Sequence, residues 1–159
     1  MGRNKTAIIG LGNYLLGDEG AGMHAVELLR EKMNGQNVDI VDAGTPGMNL
    51  LHQFEEREKV IFIDAGNLGL MPGEYKRFTY NQVRSLKKNK GYSLHEFDLI
   101  SFLEQATALK KTDGIDIVIY GIQVSEIIMS EQLSDIVQRT LEPLVVDVYN
   151  EALLKKKEL

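Results

Sequence analysis

The sequence predicts an α/β fold: three layers, with a mostly parallel, twisted sheet of about five strands covered by helices on both faces. Short apolar runs at residues 6–11, 38–41, 60–63 and 116–122 are too uniformly apolar for strands wetted on one side. Each of the first three closes on glycine or aspartate, as strands do on leaving a sheet. Segments of helical spacing separate the runs, and strand-helix-strand alternation is the signature of a parallel sheet.

The elements follow in order. Residues 6–11 form the first strand, which passes through a glycine-rich loop into a helix marked by Met23, Val26, Leu29 and Met33. Residues 38–41 form the second, closing on Asp42-Ala43-Gly44-Thr45-Pro46-Gly47, after which Met48, Leu51 and Phe54 mark a helix ended by charged residues 55–59. Residues 60–63 form the third, closing on Asp64-Ala65-Gly66. Tyr75-Lys76-Arg77-Phe78 alternates too poorly for a central strand and reads as an edge or antiparallel one. A flexible lysine-rich segment, 85–91, is expected next. Ser93-Leu94-His95-Glu96 has the capping-box spacing, serine with glutamate three residues on, which would put His95 in the first turn of a helix continued by Phe97, Ile100 and Leu103. Residues 116–122 form the last strand, closing on Gly121-Ile122-Gln123. A final helix carries Leu133, Ile136, Val137, Leu141, Leu144, Val145 and Val148, and Pro143 should kink or divide it. Met48, Met71 and Met129 are expected to fill gaps in the core or line a contact surface, with the core favoured.

Length and composition bound the function. The 159 residues, 43% of them hydrophobic, suit one domain spanning 1–159, with no linker, repeat or low-complexity tract. Eighteen basic against 23 acidic residues leave a net charge of −5, and with no basic stripe apart from Lys87, Lys88 and Lys90 and the tail Lys155, Lys156 and Lys157, which read as solvated surface, nucleic acid is not an expected partner. No cysteine is present, which removes disulfides, thiolate metal sites and a cysteine nucleophile, so any metal takes N and O ligands. The apolar run near the N-terminus is too short for a signal peptide or a membrane span, and the expected location is the cytoplasm.

The first loop, Gly10-Leu11-Gly12-Asn13-Tyr14-Leu15-Leu16-Gly17-Asp18-Glu19-Gly20-Ala21-Gly22, begins like a nucleotide-binding turn. The dinucleotide fingerprint would need glycine where Leu15 stands, and the Lys-Ser/Thr pair of a P-loop is absent. Asp18 and Glu19 would repel phosphate; their bland reading is that they cap the following helix. No GxSxG elbow positions a serine nucleophile.

In open α/β sheets, sites form beyond the carboxyl ends of the strands. Asn13, Glu19, Asp42, Asp64 and Gln123 all fall there. One strand-end aspartate is ordinarily a turn former; three acids at three strand ends point to a site. His95 would add an imidazole, making an open site for a borderline divalent ion such as zinc, nickel or manganese. It is not a zincin motif, because Leu99 stands where the second histidine would. His24 and His52 read as partly exposed or core-edge residues.

The first loop, the Asp42-Ala43-Gly44-Thr45-Pro46-Gly47 turn, Ile63-Asp64-Ala65, Ser93-Leu94-His95-Glu96 and Gly121-Ile122-Gln123 together resemble the nickel-iron hydrogenase maturation endopeptidases, across residues 6 to 125. Val124 departs from the proline that many members carry after the GIQ triplet. The resemblance implies metal ligation by Glu19, Asp64 and His95, and a role in activity for Asp42. It further implies removal of a C-terminal extension from a hydrogenase large-subunit precursor after nickel insertion. The nickel, a recognition mark, would be supplied by the precursor, and other divalent ions can substitute.

Two mechanisms stay open. Either the metal polarises the scissile carbonyl or a water while Asp42 or Glu19 takes the proton, or the metal only anchors the precursor and a carboxylate activates a free water. A monomer suits the task. The competing readings are a noncatalytic metal- or nucleotide-binding module using the same rim, which predicts binding without proteolysis, and a general metallopeptidase, which predicts cleavage of unrelated peptides.

Overall fold

The structure is a computed structural model and describes residues 2–87, 93–94 and 98–154. Strands β1 (Thr6–Leu11), β2 (Val38–Gly44), β3 (Lys59–Asn67) and β6 (Asp116–Gln123) are parallel. Strand β4 (Tyr75–Thr79) runs antiparallel along β6, and the sheet order is β2-β1-β3-β6-β4. The two-residue β5 (Ser93–Leu94) joins antiparallel to the far end of β3.

Both sheet faces are covered, as the apolar runs require. On one face Ile8, Ile61, Ile63 and Val118 pack against α1 (Ala21–Lys32) and α4 (Asp135–Leu153), through Val26, Leu29, Leu144 and Val148. On the other, Ile9, Phe62 and Ile119 meet a 3₁₀ turn at Met48–Phe54 together with α2 (Tyr80–Lys87) and α3 (Asp98–Ala108). Phe54 stacks on Phe102, 5.8 Å between ring centroids, and closes that layer. This is the three-layer, mostly parallel architecture expected, with β4 antiparallel at an edge.

Four local expectations change. Ser93 does not start a helix: it pairs with Asn67, and Leu94 with Gly66, so pairing to a distant strand overrides the local capping pattern, and α3 begins at Asp98. His95 and the rest of that motif lie outside the described residues. Residues 85–87 close α2 rather than belonging to a flexible segment, and 88–91 lie outside the described residues. Pro143 does not divide α4, which continues for 19 residues because buried Leu141, Leu144, Val145 and Val148 hold both of its halves on the sheet. Met48, Met71 and Met129 do not fill the core; they are 52%, 70% and 84% exposed, which leaves only the contact-surface alternative for them.

Candidate functional site

The rim at the carboxyl ends of β1, β2, β3 and β6 is organised by the first loop. Gly12 leaves β1 at φ +138°, and a Cβ there would lie 2.0 Å from the Glu19 carbonyl oxygen, so only glycine lets the loop close on itself. The Asn13 amide donates to that carbonyl (3.3 Å), and the Asn13 side chain accepts from the Leu15 amide (2.9 Å), which fixes the turn. Gly22 lets the start of α1 approach the strands: a Cβ would sit 2.4 Å from the carbonyls of Leu11 and Ile63. Glu19 therefore stands, half-buried, in a 3₁₀ turn (Gly17–Gly20) packed against β3. Its carboxylate has no hydrogen-bond or ion-pair partner among the described residues.

Asp18 behaves differently from its neighbour. It does not cap α1. Fully buried, its carboxylate accepts from the amides of Ser125 (2.8 Å), Glu126 (2.9 Å) and Ser134 (2.8 Å) and from the Ser134 hydroxyl (2.9 Å). Its charge compensates the N-terminus of α4, whose N-cap is Ser134. The partners come from a segment more than a hundred residues away, which no local sequence signal announces.

Asp64 is fully buried within β3, three residues before the strand ends at Asn67 and just past its last pairing with β1 at Ile63, with Oδ1 accepting from the Ala65 amide at 2.9 Å. Asp42 is exposed at the end of β2, level with Gly10 of β1. Side chains alternate along a strand. Ile61, Ile63 and Ala65 belong to the α1/α4 layer, so Asp64 leaves the sheet on the α2/α3 side. Val38 and Ile40 also belong to the α1/α4 layer, and this places Asp42 on the α1 side, opposite to Asp64.

On the α1 side Asp42 is near Tyr14, whose hydroxyl donates to Glu27 (2.5 Å) and reaches the Met23 carbonyl (3.4 Å). Burial, the bond to Glu27 and the charges of Asp42 and Glu27 raise the Tyr14 phenol well above its ordinary pKa, so Tyr14 stays a neutral donor. His24 packs edge-on to Tyr14, and His52 is exposed on the 3₁₀ turn of the other layer.

Gln123 has a positioning role: its Oε1 accepts from the amides of Leu68 (2.7 Å) and Leu70 (3.2 Å) and so holds the loop after β3. Strand β5 is pinned to the same stretch of β3. Leu94, the residue before His95, pairs with Gly66, two positions beyond Asp64. Among the described residues no group of three or more His, Asp or Glu side chains is placed to hold a metal, and His95 falls outside them. The donors on the rim are carboxylates, which with an imidazole match a borderline divalent ion.

What sequence reasoning missed is the apolar dress of this rim. Leu15 is 54% exposed, and Ile127, Ile128 and Met129 are 54%, 53% and 84% exposed. Three consecutive apolar residues in a loop of neither helical nor strand period were the available signal.

The model of a family described as HycI, hydrogenase maturation protease, matches residues 23–151. A protein of Methanocaldococcus jannaschii named as a candidate hydrogenase maturation protease is 31% identical over 158 residues, covering 93% of this chain and 99% of that protein. The hydrogenase expression/formation protein HupD of Bradyrhizobium diazoefficiens is 37% identical over 94 residues, 58% of this chain and 49% of HupD. Among solved structures, the [NiFe] hydrogenase maturation protease HybD from Thermococcus kodakarensis superposes with a TM-score of 0.78 at 28% identity, covering 93% of this chain and 99% of that one. The hydrogenase maturating endopeptidase HybD from E. coli gives 0.78 at 26% identity, covering 92% and 91%. With the family model covering most of the chain and the same three-layer fold in these proteases, the protein belongs to the hydrogenase maturation protease family.

Proposed function

We propose that the protein is an endopeptidase that removes the C-terminal extension of a nickel-iron hydrogenase large-subunit precursor once nickel has been inserted, and that the nickel held by the precursor is its recognition mark. The observation that carries this reading is the convergence on β3. The turn bearing Glu19 packs on that strand, Asp64 is buried in its C-terminal half, and β5 attaches two residues further on, immediately before His95. Glu19, Asp64 and His95 are the ligands proposed for the metal.

The chemistry supports the assignment. Two carboxylates and an imidazole complete the coordination of a borderline ion, and a chain without cysteine offers no thiolate to compete for nickel held by the precursor's thiolates. Asp42 and Glu19 are the two candidate proton acceptors for the attacking water. Asp42, across the sheet from Asp64, suits a water that is not itself a ligand, whereas Glu19 would serve a water beside the metal.

The reading extends to a monomer working in the cytoplasm. No helix among the described residues is long and apolar enough to cross a membrane.

The test is incubation of the enzyme with nickel-loaded and nickel-free precursor, read by intact mass. Cleavage of the loaded form alone is expected, and equal cleavage of both would remove nickel from the recognition step. Asp64→Asn and His95→Ala should each lower the single-turnover rate at least about a hundredfold; undiminished rates would exclude both residues from the site.

A further inference from the structure

Two loops stand side by side next to Glu19, one at 13–20 and the other at 124–134. They are joined by main-chain hydrogen bonds: Gly17 donates to Ser130 (2.8 Å), Ser130 to Leu15 (3.0 Å) and Asp18 to Glu126 (3.3 Å). The buried Asp18 carboxylate locks them from beneath through its bonds to Ser125, Glu126 and Ser134. Leu15, Ile127, Ile128 and Met129 project from this joined pair, each more than half exposed.

Single exposed apolar residues need no explanation, but a cluster held on a braced scaffold does. The bracing prevents these side chains from folding back into the core. It also removes much of the ordering cost that a floppy loop would incur on binding. Methionine and isoleucine at such a place suit an adaptable apolar contact.

Charge identifies the occupant. Acids flank the patch along both loops, half-buried Glu19 on one and exposed Glu126 and Glu131 on the other. No lysine or arginine occurs in residues 6–29 or 121–138. A second copy of this chain, itself at −5, would bring the same acids to the contact, and an anionic lipid surface would be repelled. The complementary partner is an apolar segment flanked by lysine or arginine.

We infer that the patch formed by Leu15, Ile127, Ile128 and Met129, with its acidic rim of Glu126 and Glu131, docks an apolar, basic-flanked segment of the precursor next to the bond to be cut. The inference rests on the function proposed above. Loop 13–20 carries both Leu15 and Glu19, so a segment docked on the patch is held on the same braced loop as the candidate site.

The test uses full-length enzyme and nickel-loaded precursor, with cleavage kinetics and equilibrium binding measured separately. The double variant Ile128→Ser/Met129→Ser should raise KM and the binding constant at least about tenfold while kcat stays within about twofold. Glu126→Lys/Glu131→Lys should slow association and flatten its salt dependence. Both variants alter exposed side chains, so an unchanged melting temperature is expected and separates docking from folding.

If wild-type enzyme cleaves the precursor and neither double variant changes KM or binding by more than about twofold, the docking surface is overturned and the proteolytic reading stands. If wild-type enzyme binds without cleaving and the variants weaken that binding, docking is supported and the proteolytic reading fails. An absence of both binding and cleavage overturns the two together.

Discussion

The two ends of α4 each hold a buried carboxylate, and they are neutralised in opposite ways. At the N-terminal end, on the rim, Asp18 accepts from three backbone amides and one hydroxyl. At the C-terminal end, on the floor of the sheet, Glu151 is 5% exposed and is met by two cations, Lys59 Nζ at 2.5 Å and the guanidinium of Arg77. The helix dipole accounts for part of the difference: an acid is favoured at a helix N-terminus and disfavoured in the last turn, by about 0.3 to 1 kcal/mol in each case. The floor cancels its charge with lysine and arginine, whereas at the rim the acid is stabilised by neutral dipoles, and the two stretches that surround it, 6–29 and 121–138, contain no lysine or arginine.

The comparison is broken most forcefully at the floor. Glu151→Ala leaves Lys59, only 3% exposed, as a buried cation whose nearest remaining acid is Asp116 at 3.6 Å, and should cost about 3 to 5 kcal/mol in urea unfolding. Replacing both partners, Lys59→Met with Glu151→Leu, should restore most of that loss, because the double replacement strands no charge. At the rim Asp18→Asn should cost about 2 to 3 kcal/mol, since an amide nitrogen would face N–H groups that it cannot accept from. No second substitution can rescue it, because the stranded donors are main chain. A floor single variant as mild as a surface mutation would sink the distinction between the two ends.

Acid sharpens the same contrast. Burial alone would raise the Glu151 carboxyl, but its bonds to Arg77 and Lys59 outweigh burial and hold its pKa below the ordinary value. For a carboxyl depressed in the folded state, the stabilisation is complete above the unfolded pKa, about 4.3, and is lost as pH falls through the folded value. The stability gap between wild type and Glu151→Gln should therefore be full at neutral pH and close progressively below about pH 4. A gap undiminished at about pH 2 would show that the ion pairs are not its source.

The readability of the sequence tracks the distance over which each feature is decided. Strands β1, β3 and β6 could be read from their apolar runs because burial on both faces leaves a continuous local mark. The sequence marks Asp18 as a cap but points to the following helix, since its partners at Ser125 and Ser134 meet it only in the fold. The Ser93 pattern failed because pairing with Asn67 of β3 outweighs a capping preference of about 1 kcal/mol. Helix α2 escaped notice because its apolar signal is thin: among its described side chains Val83 is fully buried and Tyr80 only partly. Glu19, Asp42 and Asp64 stood out by their positions at strand ends. Their sides did not, because a shift of one residue in register would exchange the faces of Asp42 and Asp64.

The smallest expected effect lies between the two ends of α4. There the Tyr75 hydroxyl donates to exposed Asp147 at 2.5 Å, and burial, followed by the bond to and charge of Asp147, pushes the phenol up to about 12. Tyr75→Phe keeps the ring packed against the α1/α4 layer and releases a carboxylate that water can solvate at once. The expected cost is under about 1 kcal/mol, against the larger cost at Asp18, where the stranded amides stay buried. A loss equal to that of Asp18→Asn would mean that hydrogen-bond strength sets these costs. The smaller loss assigns them to whether the abandoned partner can recover its water, which is the physical difference between the middle of α4 and its buried ends.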